Sequence, residues 1–293
     1  MLEGRVRKAN PANPADPRHA RASESAGSRI ERWSFNLVLG TLAVMAALLL
    51  VAPTVVVLIT SFTSAFSLRF PPPGYSVRWY LALWNDSPEI LAAALTSLEV
   101  AAMATTASVL LGVAAALALA RQSGAWARLL DSIFMSPLML PTLALGLALL
   151  VLFNLAGTGL STATLVIGHI AITTPYVLRT TIASLTQMDP QLLESARSLG
   201  ARPLFAFRTV TLPIIAPGIA AGAFIAFMGS FDNVAISLFL SDARSEVLPI
   251  RLWHIIEANL DVRAAAASGV LIALTILLGI VMEKLAGISR HLR

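Results

Sequence analysis

The chain has 293 residues, of which 57% are hydrophobic and only 13% are charged, and its mean hydropathy is +0.77. Because soluble domains carry about 25% charged residues, this composition excludes a soluble globular protein. Cysteine is absent, which excludes disulfides and thiolate metal sites, and a net charge of +5 in so apolar a chain is typical of orientation in a bilayer rather than of nucleic-acid binding.

The first 34 residues differ from the rest of the chain. They are rich in Arg, Pro, Ala and Ser and lack apolar periodicity, so residues 1–34 are predicted to form a disordered tail. The apolar run that follows, 35–60, is too long for the core of a cleavable signal peptide, and no small-residue cleavage site closes it. We therefore predict that it is the first transmembrane helix.

Six apolar runs are long enough to cross a hydrocarbon core of about 30 Å at about 1.5 Å per helical residue. The predicted fold is an all-α membrane protein with one six-helix domain over 35–286, followed by a short tail, 287–293. The predicted spans are 35–60, 91–119, 133–153, 161–182, 214–240 and 264–286.

The positive charges predict the orientation of these spans. Sixteen Lys and Arg residues fall in the N-terminal tail, the loop 120–132, the segment 179–213 and the C-terminal stretch, and five fall on the opposite side. Since the side with more Lys and Arg faces the cytoplasm, both termini are expected to be cytoplasmic. The polar segment 186–213, between spans four and five, is then cytoplasmic as well.

Two spans carry signals of helix packing. Pro137 and Pro141 lie one turn apart in span three and predict a bent helix that lines an interface, with a ligand site as the alternative. Small residues at helical spacing predict that another helix approaches span five closely. These small residues are Gly218, Gly222, Ala226 and Gly229.

Three polar residues at membrane depth are candidates for a solute pathway: Glu99 in span two, and Asp232 and Asn233 in span five. A carboxylate at the bilayer centre costs about 2.5–3.5 kcal/mol, so such residues usually face water, a bundle interior or a partner. Glu99 and Asp232 are interpreted as attracting a cationic solute. The alternative is that Glu99 pairs locally and Asp232 lies at a hydrated helix end.

Three further features of the sequence bear on function. His169 in span four is either a proton carrier or, as we expect, a hydrogen-bonded residue at a helix contact; no second histidine lies in the spans to form a metal pair. The loop 61–90, rich in proline and aromatic residues, is expected to face a partner on the outer side. Residues 248–260 resemble an interfacial helix with Trp253 as its anchor.

The segment 186–213 has the signals of two short helices. Asp189 is a good N-cap, Pro190 suits the first helical position, and Gly200 is a plausible left-handed stop. A second short helix is predicted to start at Pro203. Leu and Phe side chains in so polar a segment indicate a protein partner or the lipid surface, and the alternative from composition alone is an ordinary interfacial loop.

The spacing in this segment resembles the cytoplasmic EAA loop of ABC-importer permeases, whose pattern is Glu-Ala-Ala, three residues, Gly, nine residues, Ile, one residue and Leu-Pro. The matching residues here are Glu194, Ser195, Ala196, Gly200, Val210, Leu212 and Pro213. From about residue 90 to 286 the chain is similar to the polyamine-type branch, in "MSPLMLPTLALGLALLVLF", "GHIAITTPYVLRTT" and "FMGSFDNVAISLFLSDARSEVLPIRLW". Thr142 stands where that branch often has an acidic residue.

The resemblance implies a type I importer permease of the bacterial inner membrane. Such a chain pairs with a second, related permease chain, receives its solute from an external binding protein, and docks a coupling helix on one of two ATPase subunits. The favoured solute is putrescine or spermidine, with an opine or an aminophosphonate as the alternative.

The sequence gives independent support for a separate ATPase. Lys8 and Lys284 are the only lysines, and neither belongs to a phosphate-binding GxxxxGK[ST] loop, so ATP is expected to be bound by another subunit and this chain to be non-catalytic, without a cofactor or a metal. An ion-coupled secondary transporter would leave the docking motif unexplained, and a membrane enzyme would need clustered catalytic residues that the spans lack.

Overall fold

The computed structural model describes residues 26–120, 122 and 124–286 of the chain. This part is helical, without a strand and with two isolated antiparallel bridges, Thr63 to Tyr75 and Ser67 to Asp261. A π-helical turn, Phe207–Thr211, lies between α8 and α9. The helices are α1 (Ala26–Ser61), α2 (Arg78–Asn85), α3 (Pro88–Leu119), α4 (Ala125–Met139), α5 (Thr142–Leu155), α6 (Thr162–Thr186), α7 (Pro190–Ser198), α8 (Pro203–Ala206), α9 (Leu212–Phe231), α10 (Val234–Leu240), α11 (Leu248–Asn259) and α12 (Val262–Ala286).

The described residues contain five helical runs that are long and apolar enough to cross a membrane: α1, α3, α6, the run Pro203–Phe231 and α12. The pair α4 and α5 is the sixth candidate and is bent by 105° at its break. Leu140 is extended there (φ −87°, ψ 143°), because the ring of Pro141 disfavours helical geometry in the preceding residue. The predicted all-α fold with six candidate spans is confirmed.

Two predicted boundaries need correction. Span five was predicted as one helix over 214–240, but α9 ends at Phe231 and a separate helix, α10, begins at Val234. The predicted tail 1–34 is too long at its C-terminal end, because α1 begins at Ala26. Residues 1–25 and the predicted C-terminal tail 287–293 lie outside the described residues.

The chain divides into two compact units at Val56. In the first unit, residues 35–56 of α1 are apolar and exposed along their whole length. Such a helix suits a hydrocarbon solvent, in which its backbone hydrogen bonds are satisfied internally and its side chains need no protein core.

In the second unit α3, α6 and α9 pack against one another and bury small and branched residues between them. Ser108 and Gly112 of α3 meet Thr173 and Val177 of α6, so these two helices run parallel. The buried side chains at this centre include Val100, Ala101, Ala104, Leu165, Val177, Leu178, Ile215 and Ala226.

The contacts of α9 with α6 show that these two helices run antiparallel, since Gly218 lies near Ser184 and Gly222 lies near Thr180 and Val177. Ala226, one turn further, is fully buried. The predicted close approach is confirmed for these three residues. Gly229 faces open space instead, because nothing lies within 4 Å of where its Cβ would be.

The helix directions place the segment 187–211 at one end of the second unit, where α3 and α6 end and α9 begins. The opposite end holds α2, the start of α3, the end of α9 and the start of α12. There the backbone N–H of Leu248 donates to the Ser97 hydroxyl at 2.8 Å, which fixes the start of α11 on α3.

Candidate functional site

Helix α7 begins at an N-cap of the kind that the sequence predicted. The Asp189 carboxylate accepts a hydrogen bond of 2.9 Å from the backbone N–H of Gln191, and Pro190 occupies the first turn, where its missing N–H leaves no bond unmade. The cap fixes where the helix starts and in which direction it points.

The other end of α7 closes at Gly200, which has φ +83°. The N–H of Gly200 donates to the carbonyl of Arg197 at 2.9 Å, and the N–H of Ala201 donates to that of Ala196 at 3.0 Å. These two bonds are the pair that defines a Schellman stop. A residue with a Cβ would be strained at this φ, so glycine is required by the backbone, and α7 is capped at both ends.

The sequence predicts that the second short helix is separate from span five. In the structure the two are continuous. Helix α8 continues through the π turn into α9 without a break. Pro213 has no N–H for the carbonyl four residues earlier, and the ladder widens next to it: the N–H of Leu212 bonds the carbonyl of Phe207, five residues back. The end of the polar segment is thus a rigid extension of α9.

The EAA-like residues fall into two groups. Ala196, Gly200 and Val210 line one hollow of about 490 Å³ between α7 and the run that follows it, together with Leu199 and Phe205. Glu194 and Ser195 are exposed on α7 beside the hollow, and Leu212 and Pro213 are exposed at the start of α9.

The hollow has an apolar rim that the chain itself does not cover. Leu199 and Phe205, which line the hollow, are 89% and 61% exposed, and Leu204, next to Phe205 in sequence, is 68% exposed. Large apolar side chains are exposed in this way on a segment that also carries Glu194 and Arg197. An exposed apolar patch with a polar border is typical of a surface that binds another protein.

The two acidic candidates lie in the opposite half of the unit. Glu99 is exposed on α3 and makes no hydrogen bond or ion pair within the described residues. Asp232 is exposed at the end of α9, where its backbone N–H still donates to Met228 at 3.2 Å. Asn233 has a different role: its side-chain oxygen accepts from the N–H of Ile236 at 2.8 Å and caps α10.

An open apolar groove of about 700 Å³ lies between α3, α9 and α12, and Glu99 and Asp232 are not among the residues that line it. Leu98 and Phe231, the residues that precede Glu99 and Asp232, both line it. Phe227 and Phe231 stack along the groove with ring centroids 5.9 Å apart. The structure therefore places each acidic residue next to a residue that lines the same groove, a relation that the sequence alone does not indicate.

His169 lies in the interior, 1% exposed, and both of its ring nitrogens have hydrogen-bond partners. Nδ1 is 2.7 Å from the Ser230 hydroxyl and Nε2 is 3.1 Å from the Ser237 hydroxyl. The expectation of a hydrogen-bonded histidine at a helix contact is confirmed. The partners were missed by sequence reasoning, since a serine in an apolar run gives no signal of what it bonds.

Sequence reasoning also missed a network of charges at the end of the second unit where α3, α11 and α12 begin. Glu89 at the start of α3 lies 3.9 Å from Arg251 of α11 and 3.5 Å from Arg263 of α12. Arg251 also pairs with Glu246 at 3.5 Å, and His254 bonds the same carboxylate at 2.9 Å. These pairs bring together helix ends that are distant in sequence, so no local pattern could indicate them.

The chain matches the family described as "Binding-protein-dependent transport system inner membrane component" over residues 108–288. It is 29% identical over 235 residues to the spermidine/putrescine transport system permease protein PotC of Escherichia coli (strain K12), which covers 80% of this chain and 88% of that protein. It is 32% identical over 223 residues to the putrescine transport system permease protein PotI of the same strain, covering 72% and 77%.

A third relative shows that such sequences are not confined to polyamines. The molybdenum transport system permease protein ModB of Mycobacterium bovis is 31% identical over 212 residues, covering 66% of this chain and 80% of that protein.

Solved structures agree on the fold. A bacterial ABC transporter involved in the import of the acidic polysaccharide alginate matches with a TM-score of 0.67 at 14% identity, covering 88% of this chain and 97% of that one. The MetNI methionine ABC transporter matches with a TM-score of 0.57 at 16% identity, covering 67% and 94%. On the sequence match over most of its helices, this chain belongs to the family of binding-protein-dependent transport system inner membrane components.

Proposed function

We propose that this chain is the non-catalytic permease subunit of an ATP-driven importer, and that α7 and the hollow beside it dock on a separate ATPase subunit. The observation that carries the proposal is the doubly capped α7, whose EAA-like residues converge on a hollow with exposed Leu and Phe side chains.

The continuity of α8 with α9 gives this surface a mechanical path to the solute. A partner that binds α7 and α8 differently before and after ATP hydrolysis can shift a two-state permease by that difference in affinity. Because the run from Pro203 to Phe231 is one helix, a displacement at α8 is transmitted to Asp232 at its far end.

The charge distribution supports an orientation with this surface in the cytoplasm. Arg197, Arg202 and Arg208 lie on the docking segment, and the N-terminal tail and the C-terminal stretch hold most of the remaining positive charge. By the positive-inside rule both termini are cytoplasmic in the bacterial inner membrane. An external binding protein then meets the opposite end, where α2 and α11 lie, and a second permease chain completes the pathway.

The proposed solute is a polyamine such as putrescine or spermidine. A polyamine has ammonium groups separated by methylene chains, which suits an apolar groove lined by the aromatic faces of Phe227 and Phe231, with the carboxylates of Glu99 and Asp232 on the residues next to its lining. An oxyanion such as molybdate would be repelled by the same carboxylates. The names of the relatives PotC and PotI agree with this choice.

The docking proposal is tested by a substitution that introduces backbone strain at Gly200. Alanine at Gly200, with φ +83°, costs about 1–2 kcal/mol, enough to change the population of the capped helix about five- to thirtyfold. Gly200→Ala should lower the solute imported per ATP hydrolysed in proteoliposomes that contain the complete importer, and leave the amount of assembled permease unchanged.

The matched control is Gly157→Ala. Gly157 also has a positive φ, +69°, and also faces open space, but it lies in the turn between α5 and α6 at the other end of the bundle. Equal uncoupling by both variants, or normal coupling in Gly200→Ala, would show that α7 is not the docking surface.

The solute proposal is tested by removing single charges. Asp232→Asn and Glu99→Gln should each raise the apparent KM for radiolabelled putrescine about tenfold or more, the scale of a hydrogen bond to a charged group. Glu257→Gln is the control, since Glu257 is an exposed carboxylate on α11, and α11 contributes no residue to the lining of the groove, whereas α3 and α9 do. An unchanged KM in both variants would remove these carboxylates from the pathway, and uptake of molybdate instead of putrescine would refute the polyamine assignment.

A further inference from the structure

A buried histidine joins the two helices that meet at the Asp232–Asn233 break. His169 projects from α6, Ser230 lies at the end of α9, and Ser237 lies in α10. Ser230 is 3% exposed and Ser237 is fully buried, and their hydroxyls bond the two different ring nitrogens of His169, at 2.7 Å and 3.1 Å. The imidazole is thus held between one residue before the break and one residue after it.

We propose that His169 is a positioning residue: its ring clamps α10 to α9 and so sets where the Asp232 carboxylate faces the solute. The effect of this clamp on solute binding rests on the proposed function of Asp232. Asn233 caps α10 but makes no bond to α9 through its side chain, so the cap by itself leaves the angle between the two helices free.

An imidazole suits this task because its two nitrogens lie at separate edges of one rigid ring. In its neutral form one nitrogen donates and the other accepts, and a serine hydroxyl can do either. Both bonds are therefore made without burying a charge. An amide side chain carries its donor and acceptor on one terminal carbon and cannot reach two helices in the same way.

The ring is fixed on its own helix, so α6 acts as the frame. The Thr173 hydroxyl donates to the carbonyl of His169 at 2.7 Å and lies 2.7 Å from the Ser108 hydroxyl of α3. Next to the ring, Gly168 brings α10 against α6, since a Cβ there would lie within 3 Å of Ile236 and Leu240. What the serine bonds add to this packing is a connection from α10 to the end of α9.

The clamp is tested directly by a distance measurement. The chain has no cysteine, so cysteines introduced at the exposed positions Ile225 on α9 and Leu238 on α10 can be spin-labelled on the purified chain, without labelling elsewhere in it, before the importer is assembled. In the assembled importer, His169→Phe should broaden the distance distribution between the labels, and Ser237→Ala should broaden it in the same sense. If both variants keep the wild-type distribution, the clamp does not exist.

Thr181→Val is the matched control for loss of a buried polar group on α6. Thr181 is fully buried, and its hydroxyl has no hydrogen-bond partner within the described residues. Thr181→Val should leave the distance distribution between the labels unchanged. If it broadens the distribution as much as His169→Phe does, any change in the interior of α6 has this effect and the proposal is overturned. Ser237→Ala keeps the test valid if His169→Phe fails to assemble.

Transport gives the second measurement. Ser237→Ala should raise the apparent KM for putrescine about threefold, the scale of one hydrogen bond within a membrane, while Vmax per assembled importer stays the same. In the background of Asp232→Asn the same change should have no further effect on KM. If Ser237→Ala and Asp232→Asn instead raised KM independently and additively, the clamp would not act through Asp232. If Asp232→Asn itself leaves KM unchanged, the proposed pathway fails, while the distance measurement still decides the clamp.

Discussion

The close approach between α6 and α9 at Gly222 predicts that a glycine-to-alanine substitution destabilises the protein there but stabilises it at Gly229. A Cβ at Gly222 would lie 2.9 Å from the Cα of Val177 and overlap the Thr180 hydroxyl, and a backbone atom cannot move aside as a side chain can. Gly222→Ala should therefore push the helices apart, at about 1–3 kcal/mol for overpacking. Gly229→Ala, on the same helix, meets nothing within 4 Å and should gain about 1 kcal/mol of helix propensity.

The gain in helix propensity is the same for both variants. The difference in stability between Gly222→Ala and Gly229→Ala therefore measures the steric cost at Gly222 alone. At about 2–4 °C per kcal/mol for a chain of this size, Gly222→Ala should melt about 2–12 °C below Gly229→Ala in detergent. Thermal unfolding followed by size-exclusion chromatography measures this difference. Equal melting temperatures would refute the close approach of α6 and α9 at Gly222.

Three further predictions concern caps and loops. Asp189→Ala removes the N-cap of α7, at about 1 kcal/mol, and should lower the solute imported per ATP hydrolysed. Ser97→Ala leaves the buried N–H of Leu248 without its acceptor, at about 1–3 kcal/mol, and should lower the melting temperature. The Ser245 hydroxyl donates a hydrogen bond to the Asp242 carboxylate and holds the pKa of Asp242 below its usual value. The stability that this bond contributes is present above the ordinary aspartate pKa and is lost as the pH falls through the lowered pKa. Ser245→Ala should therefore make the loss of thermal stability at acid pH shallower.

The parts of the structure that the sequence predicts well are those set by local chemistry. Asp189 and Pro190 start α7 and Gly200 stops it, as expected, because capping depends on the residues at the cap itself. The bend of span three follows in the same way from Pro141 and its effect on Leu140. Its angle of 105° depends on what α4 and α5 pack against and could not be predicted.

The break in span five shows the limit of apolar runs as evidence. Residues 234–240 are as apolar as α9, so hydropathy extends one span across both, although Asn233 before an apolar run is itself an N-cap signal. The partners of His169 lie 61 and 68 residues away in sequence, and only the packing of α6 against α9 and α10 brings them together. Contacts of this kind need a tertiary structure.

Because the chain has no cysteine, single introduced cysteines can test most directly whether α7 docks on the ATPase. A single cysteine at Leu199, 89% exposed beside the hollow, should cross-link to an ATPase subunit in membranes, whereas one at Trp84, 76% exposed on α2, should not. An ATPase adduct from position 199 alone is the predicted result. An adduct from position 84, or none from position 199 in a membrane that contains the active importer, would contradict the assignment of α7 as the docking helix.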